Sequence, residues 1–168
     1  MRWILWIGAV VAVVVLIVVV VGAAMLPKAH TASRTARVAM PPETLYSLLS
    51  DVDRFPAWRT DLKGLQRRPD RDGKAAWVED IGGMKIPMVF ERMERPSLLV
   101  GRIDSRDLPF GGTWTYRIAP APGGSDLTIT EDGEVDNVIF RFMSRFVFGH
   151  TATMDTYLKH LQAKAAAR

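Results

Sequence analysis

The chain contains no cysteine, which excludes disulfides, a thiol nucleophile and any thiolate-held zinc or iron–sulfur site. It has three histidines, His30, His150 and His160, in no metal-ligand spacing, so no metal and no cofactor is expected. No G-x-S-x-G elbow, P-loop, G-x-G-x-x-G or H-E-x-x-H is found, and the common catalytic signatures are therefore missing. Charge is also unevenly withheld. From Trp3 to Leu26 there is no charged, amide or hydroxyl side chain, and of the 22 basic residues only Arg2 precedes that run.

The remaining 142 residues suffice for one globular domain. Their net charge is +3 with both signs mixed, which excludes a polybasic nucleic-acid tail and a long acidic disordered segment. Nucleic acid is not an expected partner despite a pI of about 9.7.

The apolar run is expected to form one transmembrane helix over residues 1–26, because a bilayer core of about 30 Å needs roughly 20 apolar residues. Trp3 and Trp6 suit an interfacial aromatic belt. A cleaved signal peptide is the competing reading, but its apolar region is typically about 7–15 residues. The expected location is therefore membrane, single-pass, with an N-terminal anchor and the membrane as a partner. Arg2 on one side and Lys28, Arg34 and Arg37 on the other leave the sidedness open. Residues 27–34 read as a short polar linker and 35–166 as the domain; the oligomeric state is not specified.

Within the domain, Thr35–Met40 reads as a strand. Pro41-Pro42-Glu43-Thr44 opens a helix, with Leu45, Leu48, Leu49 and Val52 on one face. Val52, Phe55 and Trp58 continue at threefold spacing into a separate short helix, since Pro56 interrupts the first. Strand-like runs follow at Ala75–Asp80, Lys85–Met93, Leu98–Ser105, Thr113–Ile118 and Leu127–Glu131. Hairpin-sized turns between them predict an antiparallel meander. Alternation puts Ile86, Met88 and Phe90 on one face, with Trp114, Tyr116 and Ile118, and Leu127 with Ile129, similarly inward. A long helix is expected from Val138 to Ala166, with Gly149 marking a kink or close contact.

The stretch Leu45–Trp58 resembles the first-helix motif of the SRPBCC superfamily of START-like, polyketide cyclase/dehydrase and lipid-transport domains. Gly112-Thr113-Trp114-Thr115-Tyr116 and Leu127–Glu134 resemble its late strands. Phe148-Gly149-His150 followed by Met154–Leu161 resembles its closing helix. The likeness covers roughly Thr31–Leu161. It implies an α+β helix-grip fold (START-like, Bet v 1-like), a curved antiparallel sheet wrapped on a long C-terminal helix, here preceded by a transmembrane helix. It also implies an apolar cavity between sheet and helix.

The expected function is membrane-tethered binding of a hydrophobic small molecule, such as a lipid or isoprenoid, in that cavity. Expected ligand-binding residues are Met88, Phe90, Trp114, Tyr116, Phe142, Met143, Phe146, His150 and Met154, with Met84 in the same apolar set. Methionine is unbranched and polarizable and adapts to irregular ligands. Each of these residues can equally be core packing. No catalytic residue is assigned. An alternative is a cyclase/dehydratase-type enzyme using His150, Tyr116 or a carboxylate among Glu79, Asp80, Glu91, Asp104 and Glu131. A non-binding scaffold in a membrane complex is a third reading. Arg67, Arg68 and Arg71, and Arg92 with Arg95, can contact phosphate or anionic lipid, but interleaved acids favour a solvated mixed surface.

Overall fold

The computed structural model describes residues 2–143, 149 and 151–167. After helix α1 (Arg2–Ala24) come strand β1 (Ala29–Val38), helix α2 (Pro42–Ser50) and a 3-10 helix (Val52–Ala57). Six strands follow: β2 (Leu62–Arg71), β3 (Lys74–Ile81), β4 (Met84–Glu94), β5 (Leu98–Ile103), β6 (Phe110–Ala121) and β7 (Gly124–Val135). Helices α3 (Val138–Met143) and α4 (Ala152–Ala166) close the chain. The seven strands form one sheet in the order β1-β7-β6-β5-β4-β3-β2, antiparallel throughout. This is the expected meander, with β1 returning beside β7.

Two-residue turns at Asp72-Gly73 and Gly82-Gly83 close the first hairpins and fix their registers at Arg71↔Lys74 and Ile81↔Met84. Register then carries one face across the sheet through Trp77↔Met88, Phe90↔Gly101, Gly101↔Trp114 and Trp114↔Glu131. Toward one end this face is sealed. Leu45, Leu48 and Leu49 of α2, Val52 and Phe55 of the 3-10 helix, and Met154, Leu158 and Leu161 of α4 share one core with Trp77, Phe90, Leu99, Ile118, Leu127 and Ile129.

Three expectations need correction. Strand β1 begins at Ala29, so most of the stretch read as a linker over residues 27–34 belongs to the sheet. It has no hydrophobic alternation to announce it. Polar cross-strand pairs hold it instead, Thr31 Oγ1 donating to Asp132 at 2.7 Å and Ser33 Oγ lying 3.1 Å from Thr130 Oγ1. Among the described residues the long terminal helix is not continuous, because Gly149 sits at φ +73°, in the left-handed region that an α-helix does not contain.

The third correction concerns the anchor. Among the described residues, no helix is long and apolar enough to cross a membrane. The expectation of a single-pass membrane location is corrected on that finding. What the structure does show is how α1 joins the domain. Arg141 of α3 is buried and donates to Leu26 O at 3.0 Å, Ala24 O at 3.5 Å, Val135 O at 3.0 Å and Asp136 O at 3.0 Å. Carbonyls at the end of α1, which the helix itself leaves unbonded, thereby gain a cationic donor.

A buried ion pair pins the sealed end. Arg59, just after the 3-10 helix and 5% exposed, donates to Glu79 of β3 at 2.8 Å and to Asp61 at 2.8 Å. Glu79 Oε1 also accepts Trp77 Nε1–H at 2.9 Å, and Asp61 lies 3.0 Å from His160 Nδ1 of α4. The Arg59 guanidinium stands 5.2 Å from the Tyr157 ring centroid and 5.7 Å from that of Phe55. Desolvation opposes its charge most strongly, yet Glu79 and Asp61 outweigh it and hold the pKa above the usual arginine value. Removing one member of such a pair leaves an uncompensated buried charge. Arg59→Met is expected to cost about 3–5 kcal/mol in urea unfolding. Arg59→Met/Glu79→Leu should recover more than half of that loss; additive losses would contradict the pairing.

Candidate functional site

Away from the sealed end the concave face changes character. Phe110, Trp114 and Tyr116 of β6, Ile103 of β5, and Ile86 and Met88 of β4 are only half-buried. Because side chains alternate along a strand, these residues share a face with the sealed core and form its continuation. Helix α3 lies at this end, with the Phe140 ring 6.3 Å from Phe110. An aromatic chain links the two regions. Trp114 is 6.1 Å from Tyr116 and 5.9 Å from Tyr157, Tyr116 is 5.7 Å from Tyr157, and Tyr157 stands edge-on to Trp58 at 5.2 Å.

The Tyr116 and Tyr157 side chains pack against each other inside the fold. Burial pushes both well above the ordinary tyrosine range, so they remain protonated donors at neutral pH. Tyr116 keeps part of its surface as a residue, while its hydroxyl is desolvated beside the 5%-exposed Tyr157.

A second polar group sits at the half-exposed end. Glu131 lies directly across from Trp114 in the β6–β7 register, where the indole favours its charged form. His30 Nε2 of β1 is 3.6 Å from Glu131 Oε1, and the two side chains are only 16% and 22% exposed. Burial raises the Glu131 pKa to about 7, with Trp114 opposing that rise. A carboxyl poised near neutrality beside an imidazole can donate or accept a proton without a metal.

The backbone makes room for this pair. Gly133 pairs with His30 in register, and a Cβ on Gly133 would lie 2.5 Å from His30 Cε1. The glycine is needed for that close approach: any side chain would push the imidazole away from Glu131.

The sequence-predicted residues divide among these regions. Trp114, Tyr116 and Met88 come together on the half-buried face. Phe90, 3% exposed and 4.8 Å from the Trp77 ring, and Met154, fully buried, are packed in the sealed core. Phe142 and Met143 are half-buried on α3. Met84 is exposed at the start of β4. Phe146 and His150 lie outside the described residues. Of the carboxylates weighed as interior candidates, Glu79 and Glu131 face inward. His30, Gly133 and Arg59 went unread as site or interior residues, and Tyr157 was read only as flanking the apolar stripe of the last helix; only strand register and the β1–β7 pairing bring His30 to Glu131.

A family model described as polyketide cyclase / dehydrase and lipid transport matches residues 29–166. The chain belongs to this family. No curated protein matches it in sequence. Among solved structures, a START superfamily protein from Mycobacterium smegmatis is similar at TM-score 0.64 and 18% identity, over 82% of this chain and 98% of that one. The di-domain ARO/CYC StfQ from the steffimycin biosynthetic pathway is similar at TM-score 0.66 and 17% identity, covering 83% of this chain and 52% of that one. The di-domain ARO/CYC BexL from the BE-7585A pathway gives TM-score 0.70 at 12% identity, with 88% and 54% covered. The chain thus spans about half of each di-domain protein. At these identities the likeness establishes the helix-grip fold alone.

The raised pKa of Glu131 carries a pH dependence. The folded state holds the Glu131 proton up to about pH 7, whereas the unfolded chain releases it near 4.5. Its contribution to stability is therefore complete below about pH 4.5 and is lost as pH rises through about 7. Between pH 5 and pH 8, wild type should lose about 2 kcal/mol more stability than Glu131→Gln in urea unfolding. Parallel pH profiles would contradict the assignment.

Proposed function

We propose that the half-buried concave face binds a hydrophobic small molecule bearing a polar group, with the apolar body against Met88, Trp114 and Tyr116 and the polar group directed to Glu131. The observation that carries this reading is the juxtaposition itself: a half-buried aromatic and methionine surface, continuous with the core, ending on a carboxyl of pKa about 7. Phe142 and Met143 of α3 would border the same ligand. Phe146 and His150 are proposed with them on the sequence pattern alone. Family membership supports the reading, since lipid transport and polyketide cyclisation both act on molecules of this type.

The test is a fluorescence titration of the chain with a series of straight-chain fatty alcohols. Each added methylene buried contributes about 0.8 kcal/mol, so Kd should fall roughly fourfold per carbon until the site is filled. Trp114→Ala and Tyr116→Ala should each weaken the longest alcohol at least tenfold. Absence of saturable binding, or of any chain-length dependence, would overturn the proposal.

A second reading rests on one specific observation, the approach of Glu131 and His30 to 3.6 Å. Two ionisable groups converging beside an apolar surface suit proton abstraction next to a carbonyl, the step a cyclase or dehydratase requires. Deuterium exchange at the methylene between the carbonyls of 2,4-decanedione should then exceed the buffer rate. Glu131→Gln should reduce that excess at least tenfold; exchange at the buffer rate in wild type would remove this reading.

A further inference from the structure

The convex face of the sheet carries a separate concentration of charge that ligand binding inside the grip does not use. Register places Arg68, Ala76, Val89 and Arg102 side by side on β2, β3, β4 and β5. They alternate with Arg67, Trp77, Met88 and Gly101 and so face away from the concave side. Ala76 and Val89 are nevertheless buried, at 1% and 4% exposure. Their neighbours in the row are arginines, whose aliphatic stems can cover apolar surface while the guanidinium groups stay in water.

At the end of this row is a cleft of about 410 Å3, lined by Arg71, Arg102, Asp104, Ser105 and Arg106. Its lining has three guanidinium groups to one carboxylate. Asp104, 13% exposed, orients two of them: Oδ2 accepts from Arg71 at 2.6 Å and lies 3.6 Å from Arg68, while Oδ1 accepts from Arg102 at 3.4 Å. Arg102 is further oriented by Glu91 and by the Ile103 carbonyl at 3.3 Å. Ser105 Oγ accepts from Asp107 N at 3.1 Å, which leaves its own O–H to donate. Arg71 has one hydrogen bond for its five N–H donors. Donors therefore exceed acceptors in a cleft where Arg71 and Arg102 are already oriented.

The geometry points to this cleft as a binding site for a compact, multiply charged oxyanion of the phosphate-ester class. Planar guanidinium groups match phosphate oxygens two at a time, and a fixed carboxylate keeps neighbouring arginines turned to one centre without neutralising them all. The excess of cationic groups excludes a neutral or cationic ligand. The same chemistry is presented by a soluble phosphate and by an anionic lipid headgroup, so the source is left to the experiment.

The full chain is titrated with inorganic pyrophosphate, followed by 1H–15N correlation spectra, and in parallel with phosphatidic acid/phosphatidylcholine vesicles against phosphatidylcholine alone. Binding at the cleft should shift the amides of residues 70–73 and 103–107 and leave those around Glu131 unmoved. R71Q/R106Q should weaken pyrophosphate binding at least tenfold, whereas R117Q, which removes one positive charge at an exposed position on β6 outside the cleft, should change it less than twofold. If the double glutamine variant does not fold, R71K/R106K retains the charge but loses the paired donors, and threefold or greater weakening is expected. Pyrophosphate binding without a phosphatidic-acid preference identifies a soluble phosphate. A phosphatidic-acid preference that R71Q/R106Q abolishes identifies a headgroup. No saturable response in either arm, shifts centred elsewhere, or equal weakening by R117Q would overturn the site.

Discussion

The buried pair Arg59–Glu79 is the constraint around which the interior is arranged. It joins the segment after the 3-10 helix to strand β3, and through Asp61 and His160 it reaches helix α4. A charge at that depth is tolerated only beside opposite charges, and the two bonds that Arg59 makes to Glu79 and Asp61 hold the three elements in one relative placement. Tyr157 of α4 stacks under the same guanidinium and packs against Tyr116 on the sheet. One end of the grip is thereby closed and rigid, and the half-buried face begins where that network ends.

This division gives the two ends different chemistry. At the sealed end Arg59 draws the Asp61 pKa below the ordinary range although burial, the largest influence, pushes it up. At the other end Glu131 has no arginine among its described partners, and burial raises it to about 7. Asp61 and Glu131 thus titrate in opposite directions because of their neighbours, one beside a guanidinium and one without.

The meander was legible in the sequence because two-residue turns and alternating strands are local signals. Trp114, Tyr116 and Ile118 share a face by the period of a strand alone, and that face is the one the structure turns inward. The first strand was legible only from Thr35 onward, since residues 29–34 are polar and are held by partners on β7 that lie about a hundred positions away. His30 was missed for the same reason. Glu131 stood among several strand carboxylates, and nothing in its own neighbourhood separates it from Glu91, which faces out to pair with Arg102. Gly149 was read as a kink, and its left-handed backbone interrupts the final helical pattern. Phe90 and Met154 illustrate the limit of an apolar stripe: the same pattern describes residues that seal a core and residues that border a site.

A crystal structure of the chain with a long-chain ligand bound tests the central claim most directly. The account predicts the apolar body of the ligand against Met88, Trp114 and Tyr116, with an oxygen in hydrogen-bond contact with Glu131. Ligand density elsewhere on the molecule, or a concave face closed by the protein's own side chains when crystallised at saturating ligand, would contradict it.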